Sequence, residues 1–200
     1  MKDNPLPTTN LGGVIDVLDD MQGIGIIADY AIGGAVAAIL HNEPISTIDL
    51  DIFFFLAEQP TGLILSLEKI YNYAREKNFS FDKDFINIHG SLVQFVEASL
   101  SALWTEAIQN ADIMTIDNRA VKVIGKEHLA AMWILAGRRK DIRKIEMFDE
   151  AQIMDAEILY EILSRFDLLK QWKAQQHNFS DEYQYWTWKG SNWGLKTAQS

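Results

Sequence analysis

The 200-residue sequence predicts an α+β fold, a mixed β-sheet with packed helices followed by a C-terminal helical region. Three observations predict it. A long apolar run and two hairpin-like segments have strand character. Apolar residues at helical spacing separate these strands, and after Gly125 the spacing is mostly helical. The predicted regions are an α/β core over 1–125, a helical part packed on it over 126–180 and an aromatic-rich tail over 181–200.

The first elements surround a glycine pair. Apolar positions from Val14 to Met21 fit a short amphipathic helix that Gly23 interrupts. Residues 26–32 form a buried strand that ends at Gly33-Gly34, because glycine permits a tight turn. The small apolar residues that follow predict a helix over 35–40 packed closely on the sheet, and the segment 41–46 with Pro44 a loop.

The remaining elements follow from spacing and turn residues. The run 47–56 is the clearest strand, because it is apolar and rich in β-branched and aromatic residues. Gly90-Ser91 and Asp117-Asn118 each divide a β-type segment into a hairpin, 85–96 and 113–124. The second Asp-x-Asp pair, Asp82 and Asp84, is expected in a solvated loop. Helical spacing predicts helices over 62–77, 99–109, 126–137, 139–147, 151–166 and 167–176.

Composition excludes several kinds of site. The chain has no cysteine, so it has no disulfide, thiolate metal site or cysteine nucleophile. No apolar run approaches the ~20 residues that span a bilayer, and the N-terminus lacks the apolar segment of a signal peptide, so we expect a cytoplasmic protein without a membrane partner. The formal net charge of −10 argues against broad binding to a polyanion, although residues 138–144 form one basic cluster.

The chemistry is concentrated between Gly33 and Asp51. Side chains alternate along a strand, so Thr47, Asp49 and Asp51 share one face. Two carboxylates about 7 Å apart repel each other, and a bound Mg²⁺ would relieve that repulsion. Gly33 and Gly34 lack Cβ atoms, so the backbone of this turn can approach a phosphate. The order of these features predicts a nucleotide site.

Residues 30–55 resemble the nucleotidyltransferase superfamily with the DNA-polymerase-β-like fold, and most of all its minimal branch that includes the AbiEii-type toxins. The segment 127–141, which contains Gly-Arg-Arg-Lys-Asp, is also similar to a helix end in that branch. The resemblance covers roughly residues 25–145. It implies transfer of a nucleoside monophosphate from an NTP to a hydroxyl of RNA (such as tRNA) or protein, with Mg²⁺, and an antitoxin protein as partner.

The resemblance also assigns roles to residues. Asp49 and Asp51 would be the catalytic metal ligands. The nucleotide-binding residues would be Gly33, Gly34, Thr47, Arg138 and Lys140. An alternative for the basic residues is structural, with Lys140 and Asp141 capping and pairing at a helix junction.

The sequence departs from the family pattern where three charged groups are expected. Gln94 occupies the position of a third carboxylate, and Glu97 should face the opposite side of a regular strand. Ile45 and Trp133 stand where relatives often carry an arginine and a lysine. These losses favour an alternative function, a catalytically impaired module on the same fold that binds a nucleotide or a partner. The tryptophans of the tail, Trp186, Trp188 and Trp193, either pack against the helical part or stack on bases.

Overall fold

The computed structural model describes residues 10–41, 47, 49–58 and 67–177. Over these residues the chain has an α+β fold, as the sequence predicts, with seven strands in one mixed sheet and eight α-helices. The chain divides into two compact units, Met1–Leu129 and Ala130–Ser200. The tryptophans of the tail and Ile45 lie outside the described residues.

The elements have the following bounds. The strands are β1 (Ile27–Ile32), β2 (Asp49–Leu56), β3 (Ser80–Asp82), β4 (Phe85–Ile88), β5 (Ser91–Glu97), β6 (Asp112–Ile116) and β7 (Arg119–Val123). The helices are α1 (Leu11–Gly23), α2 (Gly34–Leu40), α3 (Glu68–Glu76), α4 (Ala102–Gln109), α5 (Lys126–Ala136), α6 (Arg139–Glu150), α7 (Ala156–Arg165) and α8 (Leu169–His177). A 3-10 turn, Ala98–Leu100, precedes α4.

The sheet belongs to the first unit and has the strand order β3-β4-β5-β2-β1-β7-β6. Strand β2 lies at its centre, antiparallel to β1 and parallel to β5. Strand β7 is parallel to β1. One edge of the sheet therefore contains the C-terminal ends of β1 and β7 together with the N-terminal ends of β2 and β5, and we call it the glycine edge because β1 ends there at Gly33.

One face of this sheet carries a large part of the core of the first unit. Leu50, Ile52 and Phe54 of β2 are fully buried on that face. On α1, Asp19 accepts a hydrogen bond from the Tyr30 hydroxyl at 3.4 Å, and Asp20 accepts one from the Tyr73 hydroxyl at 2.6 Å. These bonds join α1 to β1 and α3, which carry Tyr30 and Tyr73.

The two predicted hairpins are present, and their turns explain their sequences. His89 and Gly90 connect β4 to β5 with φ values of 50° and 91°, so the turn begins one residue earlier than the sequence predicts. Asp117 and Asn118 connect β6 to β7 with φ values of 49° and 63°. Positive φ at both central residues gives a turn whose twist matches that of antiparallel strands.

Strand β3 is not predicted from the sequence, because it contains a single apolar residue. All three of its residues are exposed, and it is formed by antiparallel pairing with β4. Asp82 is therefore in a strand, which corrects the expected loop, while Asp84 lies in the following turn. Helix α7 begins at Ala156, later than predicted, because the Asp155 carboxylate accepts hydrogen bonds from two backbone N–H groups of its first turn.

The second unit is helical. Trp133 on α5 packs against Phe148 on α6 with ring centroids 5.2 Å apart. The amide groups of Gln171 and Gln175 donate hydrogen bonds to the carbonyl of Ile134 at 2.6 and 2.9 Å, which joins α8 to the end of α5. Within the described ranges, no helix combines the length and the apolar character needed to span a bilayer.

Candidate nucleotide site

The two predicted metal ligands lie at the glycine edge of the sheet. Asp49 begins β2, and Asp51 follows two residues later on the same face, the one opposite to the buried Leu50 and Ile52. Both aspartates are half-buried, and therefore reachable by a ligand. The alternation that the sequence predicts for this strand is confirmed.

Thr47 fixes the first of these carboxylates. Its hydroxyl donates a hydrogen bond to Oδ1 of Asp49 and lies 3.3 Å from the Asp49 carbonyl oxygen. A threonine hydroxyl that is bonded to a carboxylate restricts the orientation of that carboxylate. Thr47 is therefore placed to orient Asp49. The shared face predicts that the two side chains are neighbours, but it does not predict the hydrogen bond between them.

Gly34 lies directly against Asp51. A Cβ atom built on Gly34 would fall 1.8 Å from Oδ2 of Asp51, so no side chain fits there while the carboxylate keeps its place. Gly34 also has φ +59°, in the left-handed region that favours glycine. The turn and the Asp51 carboxylate are thus in direct contact. Both the lack of space and the positive φ require glycine at position 34.

Gly33 has a different reason to be glycine. A Cβ atom on Gly33 would fall 2.4 Å from the ring of Phe53, the residue after Asp51 on the same face of β2. The Phe53 ring packs edge-on against Trp104 of α4, with centroids 5.8 Å apart. Gly33 therefore makes room for an aromatic ring, while its N–H donates to the Asp51 carbonyl at 2.8 Å. Sequence reasoning did not identify Phe53 or Trp104 as residues that shape this turn.

The position of the third carboxylate is next to Asp51. Strands β2 and β5 are parallel, and their register pairs Asp51 with Gln94. Paired residues of neighbouring strands share a face, so the half-buried Gln94 lies on the face of the two aspartates. Gln94, which the resemblance places at the position of a third carboxylate, therefore puts a neutral amide beside the two aspartates.

Glu97 does not replace the missing carboxylate. The register between β2 and β5 continues without a bulge to the pair Phe54 and Glu97, so Glu97 lies on the opposite face. It is buried, and its Oε1 accepts a hydrogen bond from the Ser99 hydroxyl at 2.9 Å. Its Oε2 has no hydrogen-bond partner among the described residues.

The residues at the glycine edge fit one Mg²⁺ ion. Mg²⁺ prefers oxygen ligands and is commonly held by one or two carboxylates together with substrate phosphates and water. Asp49 and Asp51 supply two carboxylates on one face. In the part of the chain that the structure describes, no group of three or more His, Cys, Asp or Glu side chains could hold a metal ion. The donor set therefore suits an ion that completes its shell with a nucleotide.

The basic cluster belongs to the second unit, where it surrounds a buried carboxylate. Asp141 is fully buried, and its two oxygens accept hydrogen bonds from Arg138 Nε and from Lys144 Nζ, the latter at 3.0 Å. Lys144 also lies over the Trp133 ring, 5.1 Å from its centroid. Arg138 and Lys140 are exposed, so both remain accessible to an anion.

Comparison with known proteins identifies the fold. No family model matches the sequence, and no curated protein matches it. The solution structure of the antibiotic-resistance factor ANT(2'')-Ia is similar, with TM-score 0.50 and 16% identity over 86% of this chain and 97% of that chain. An antigenic nucleotidyltransferase-like protein from Paracoccidioides brasiliensis gives TM-score 0.49 and 16% identity over 87% of this chain and 88% of that one.

A crystal structure of ANT(2")-Ia in complex with adenylyl-2"-tobramycin is also similar, with TM-score 0.46 and 16% identity over 78% of this chain and 94% of that chain. The likeness to the solution structure extends over nearly the full length of both chains. It shows that this chain has the nucleotidyltransferase fold.

Proposed function

We propose that this protein is a nucleotidyltransferase that transfers a nucleoside monophosphate from an NTP to an acceptor hydroxyl with Mg²⁺. The observation that carries the proposal is the compact arrangement of Gly34, Asp49 and Asp51 at the glycine edge, on a chain with the nucleotidyltransferase fold. In this reaction the acceptor oxygen bonds to the α-phosphorus, the bond from that phosphorus to the bridging oxygen breaks, and pyrophosphate leaves. The acceptor proton is released to solvent.

Asp49 and Asp51 would hold the metal. Bound there, Mg²⁺ would neutralise charge on the triphosphate and stabilise the leaving pyrophosphate. The residues of the chain position the metal-binding carboxylates and the phosphates. Thr47 keeps the Asp49 carboxylate in one orientation, and the absent side chain at Gly34 lets the turn lie against Asp51. Positioning is the larger part of catalysis in phosphoryl transfer, since the protein does little covalent chemistry.

Gln94 supports a second candidate function, a nucleotide-binding module that turns over slowly or not at all. Its amide is neutral, so it cannot accept the proton of the acceptor hydroxyl, and it is a weaker ligand for Mg²⁺ than a carboxylate. Gln94 is paired with Asp51 and Glu97 lies on the other face, so β5 itself provides no carboxylate at this position. In this second candidate function, the site binds an NTP with one Mg²⁺, and the bound nucleotide regulates the protein without being transferred.

The acceptor and the biological setting are proposed from the resemblance and the charge. An AbiEii-type toxin in the cytoplasm, paired with an antitoxin protein, would modify RNA or protein. Residues 1–129 contain 8 Lys and Arg against 18 Asp and Glu, whereas residues 130–200 contain 10 of each, so the whole net charge of −10 belongs to the unit with the glycine edge. Because that charge repels a polyanion, it favours a protein acceptor over RNA. For Arg138 and Lys140, nucleotide binding stays a proposal from the resemblance alone.

Transfer of label tests the proposal. The purified protein is incubated with Mg²⁺, each α-labelled NTP in turn, and a cell lysate as the source of acceptors. We expect one NTP to label an acceptor, Asp51→Ala to abolish labelling, and Asp84→Ala to retain it. Asp84 is the matched control because it belongs to the second, exposed Asp-x-Asp pair. Binding of an NTP without labelling would support the second candidate, and absence of both binding and labelling would contradict both.

A further inference from the structure

We propose that Lys126 binds the phosphates of the nucleotide at the glycine edge. The inference rests on the proposed function, because it names a residue that recognises the same NTP. It starts from a deficit of positive charge. A triphosphate at Asp49 and Asp51 brings further negative charge to two carboxylates, in a unit that contains 8 Lys and Arg against 18 Asp and Glu.

The topology brings Lys126 to the glycine edge. Strands β1 and β7 are parallel, with Ile32 paired to Val123, and the N–H of Ile124 donates to the Ile32 carbonyl at 2.9 Å. The two strands therefore end side by side. Position Gly33 lies against Ile124, since a Cβ built on this glycine would be 3.2 Å from Ile124 Cδ1. Lys126 follows two residues later, and two residues span at most about 7 Å.

The connection that carries Lys126 is fixed in place. The buried His41 donates a hydrogen bond from Nε2 to the Ile124 carbonyl at 2.9 Å, which ties the end of α2 to the end of β7. The N–H of Leu129 donates to the Gly125 carbonyl at 2.9 Å and closes the first turn of α5. The backbone at Lys126 is therefore held in place by α2, through His41, and by the first turn of α5. The four-carbon side chain of Lys126 lets its ammonium group extend beyond that backbone.

Most of the other described basic side chains of the first unit have partners, and Lys83, which has none among the described residues, is exposed in the β3–β4 turn. Lys69, Lys77, Lys122 and Arg119 each pair with a carboxylate of the same unit, at distances from 2.5 to 3.0 Å, and Arg75 donates to Asn72. Lys126 is half-buried and has no hydrogen bond or ion pair with any residue that the structure describes. A lysine without an ion pair among these residues, two residues beyond a strand end that lies against Gly33, suits a phosphate oxygen.

Calorimetric titration of Mg-ATP and of adenosine into the full-length chain tests this role. Because Lys126→Gln removes a charge-assisted hydrogen bond to phosphate, we expect it to weaken Mg-ATP binding at least about tenfold. Lys126→Arg should restore most of the affinity, and adenosine, which has no phosphate, should respond equally in all variants. Lys83→Gln is the matched control, because Lys83 lies in the exposed β3–β4 turn.

The outcomes separate this inference from the proposed function. If the unsubstituted protein binds Mg-ATP and Lys126→Gln binds it as tightly as Lys83→Gln does, Lys126 has no role in phosphate recognition and the proposed function stands. An equal loss for ATP and adenosine would also overturn the inference, because it would indicate damage to the fold. If the unsubstituted protein binds no NTP, the proposed function fails first, and the inference fails with it. Circular dichroism verifies that each variant is folded.

Discussion

Asp51 and Gln94 lie side by side on parallel strands, so a neutral amide stands next to the second aspartate of the candidate site. This pairing has different consequences for binding of a metal ion and nucleotide and for removal of the acceptor proton. Two carboxylates and a glycine turn suffice to hold one metal ion and a triphosphate. A protein base that accepted the acceptor proton would accelerate transfer beyond proton release to solvent, and the Gln94 amide cannot act as that base.

A third carboxylate should therefore increase transfer. Gln94→Glu places a carboxylate beside Asp51 without a change in side-chain length. General bases typically contribute 10²–10⁴-fold, so we expect labelling of the acceptor to accelerate about 10²-fold at saturating Mg²⁺. The rate is measured against Mg²⁺ concentration, with Gln109→Glu at the exposed end of α4 as the control. An unchanged rate would show that the third carboxylate does not limit the reaction.

The glycine turn should not tolerate a methyl group at position 34. Gly34→Ala forces a Cβ into the space of Asp51 Oδ2 and places alanine at φ +59°, which costs about 1–2 kcal/mol of strain. We expect loss of Mg-ATP binding and a lower melting temperature. Gly23→Ala is the control, because no atom lies within 4 Å of its added Cβ. Retention of full affinity in Gly34→Ala would contradict the role of this turn.

The contact between Tyr73 and Asp20 should make stability depend on pH. The hydrogen bond from Tyr73, followed by that from Lys77, lowers the pKa of Asp20. A carboxyl whose pKa is lower in the folded state stabilises the fold above its unfolded pKa of about 3.9, and this contribution is lost as the pH falls through the folded pKa.

The test compares the free energy of unfolding of Tyr73→Phe with that of the unsubstituted chain in urea. We expect Tyr73→Phe to be less stable near pH 6, and the difference to shrink below about pH 4, where Asp20 becomes protonated. Tyr71→Phe, on the same helix, serves as the control. A difference that stays constant from pH 6 to pH 2.5 would exclude the ionised Asp20 as its source.

Asp141 should be a stability residue of the second unit. It is fully buried and accepts from Arg138 and Lys144, so Asp141→Ala leaves Lys144 without its carboxylate inside the unit. Loss of one partner from a buried pair typically costs 3–5 kcal/mol, and we expect about 3 kcal/mol because the Arg138 side chain is 60% exposed. Urea denaturation measures this cost. Glu150→Ala, on the exposed surface of α6, should change stability by less than about 0.5 kcal/mol.

Much of the fold could be predicted because its elements have strong local patterns. The apolar run of β2, with aspartates at alternate positions, fixes both the strand and the face of its side chains. Turn pairs such as Asp117-Asn118 mark hairpins by their tolerance of positive φ. Strand β3 has no such pattern, since pairing with β4 makes it a strand.

The site was partly predictable for the same reason. The face shared by Asp49 and Asp51 follows from a period of two. The resemblance singles out Gln94, which the strand register pairs with Asp51 on that same face. The contact of Gly33 with Phe53 depends on how two strands pack, which no local pattern specifies. The complete burial of Asp141 is equally hidden, because charged residues are mostly exposed and only the paired cations make this one tolerable.

Calorimetric titration of ATP into the purified chain, with and without Mg²⁺, tests the candidate site most directly. We expect one ATP to bind per chain with Mg²⁺, and the affinity to fall at least about tenfold without Mg²⁺ or in Asp51→Asn, because a charged metal ligand contributes more than about 1.4 kcal/mol. Asp84→Asn should bind as the unsubstituted protein does. Equal affinity in Asp51→Asn and Asp84→Asn, or no binding of any NTP, would contradict a nucleotide site at the glycine edge.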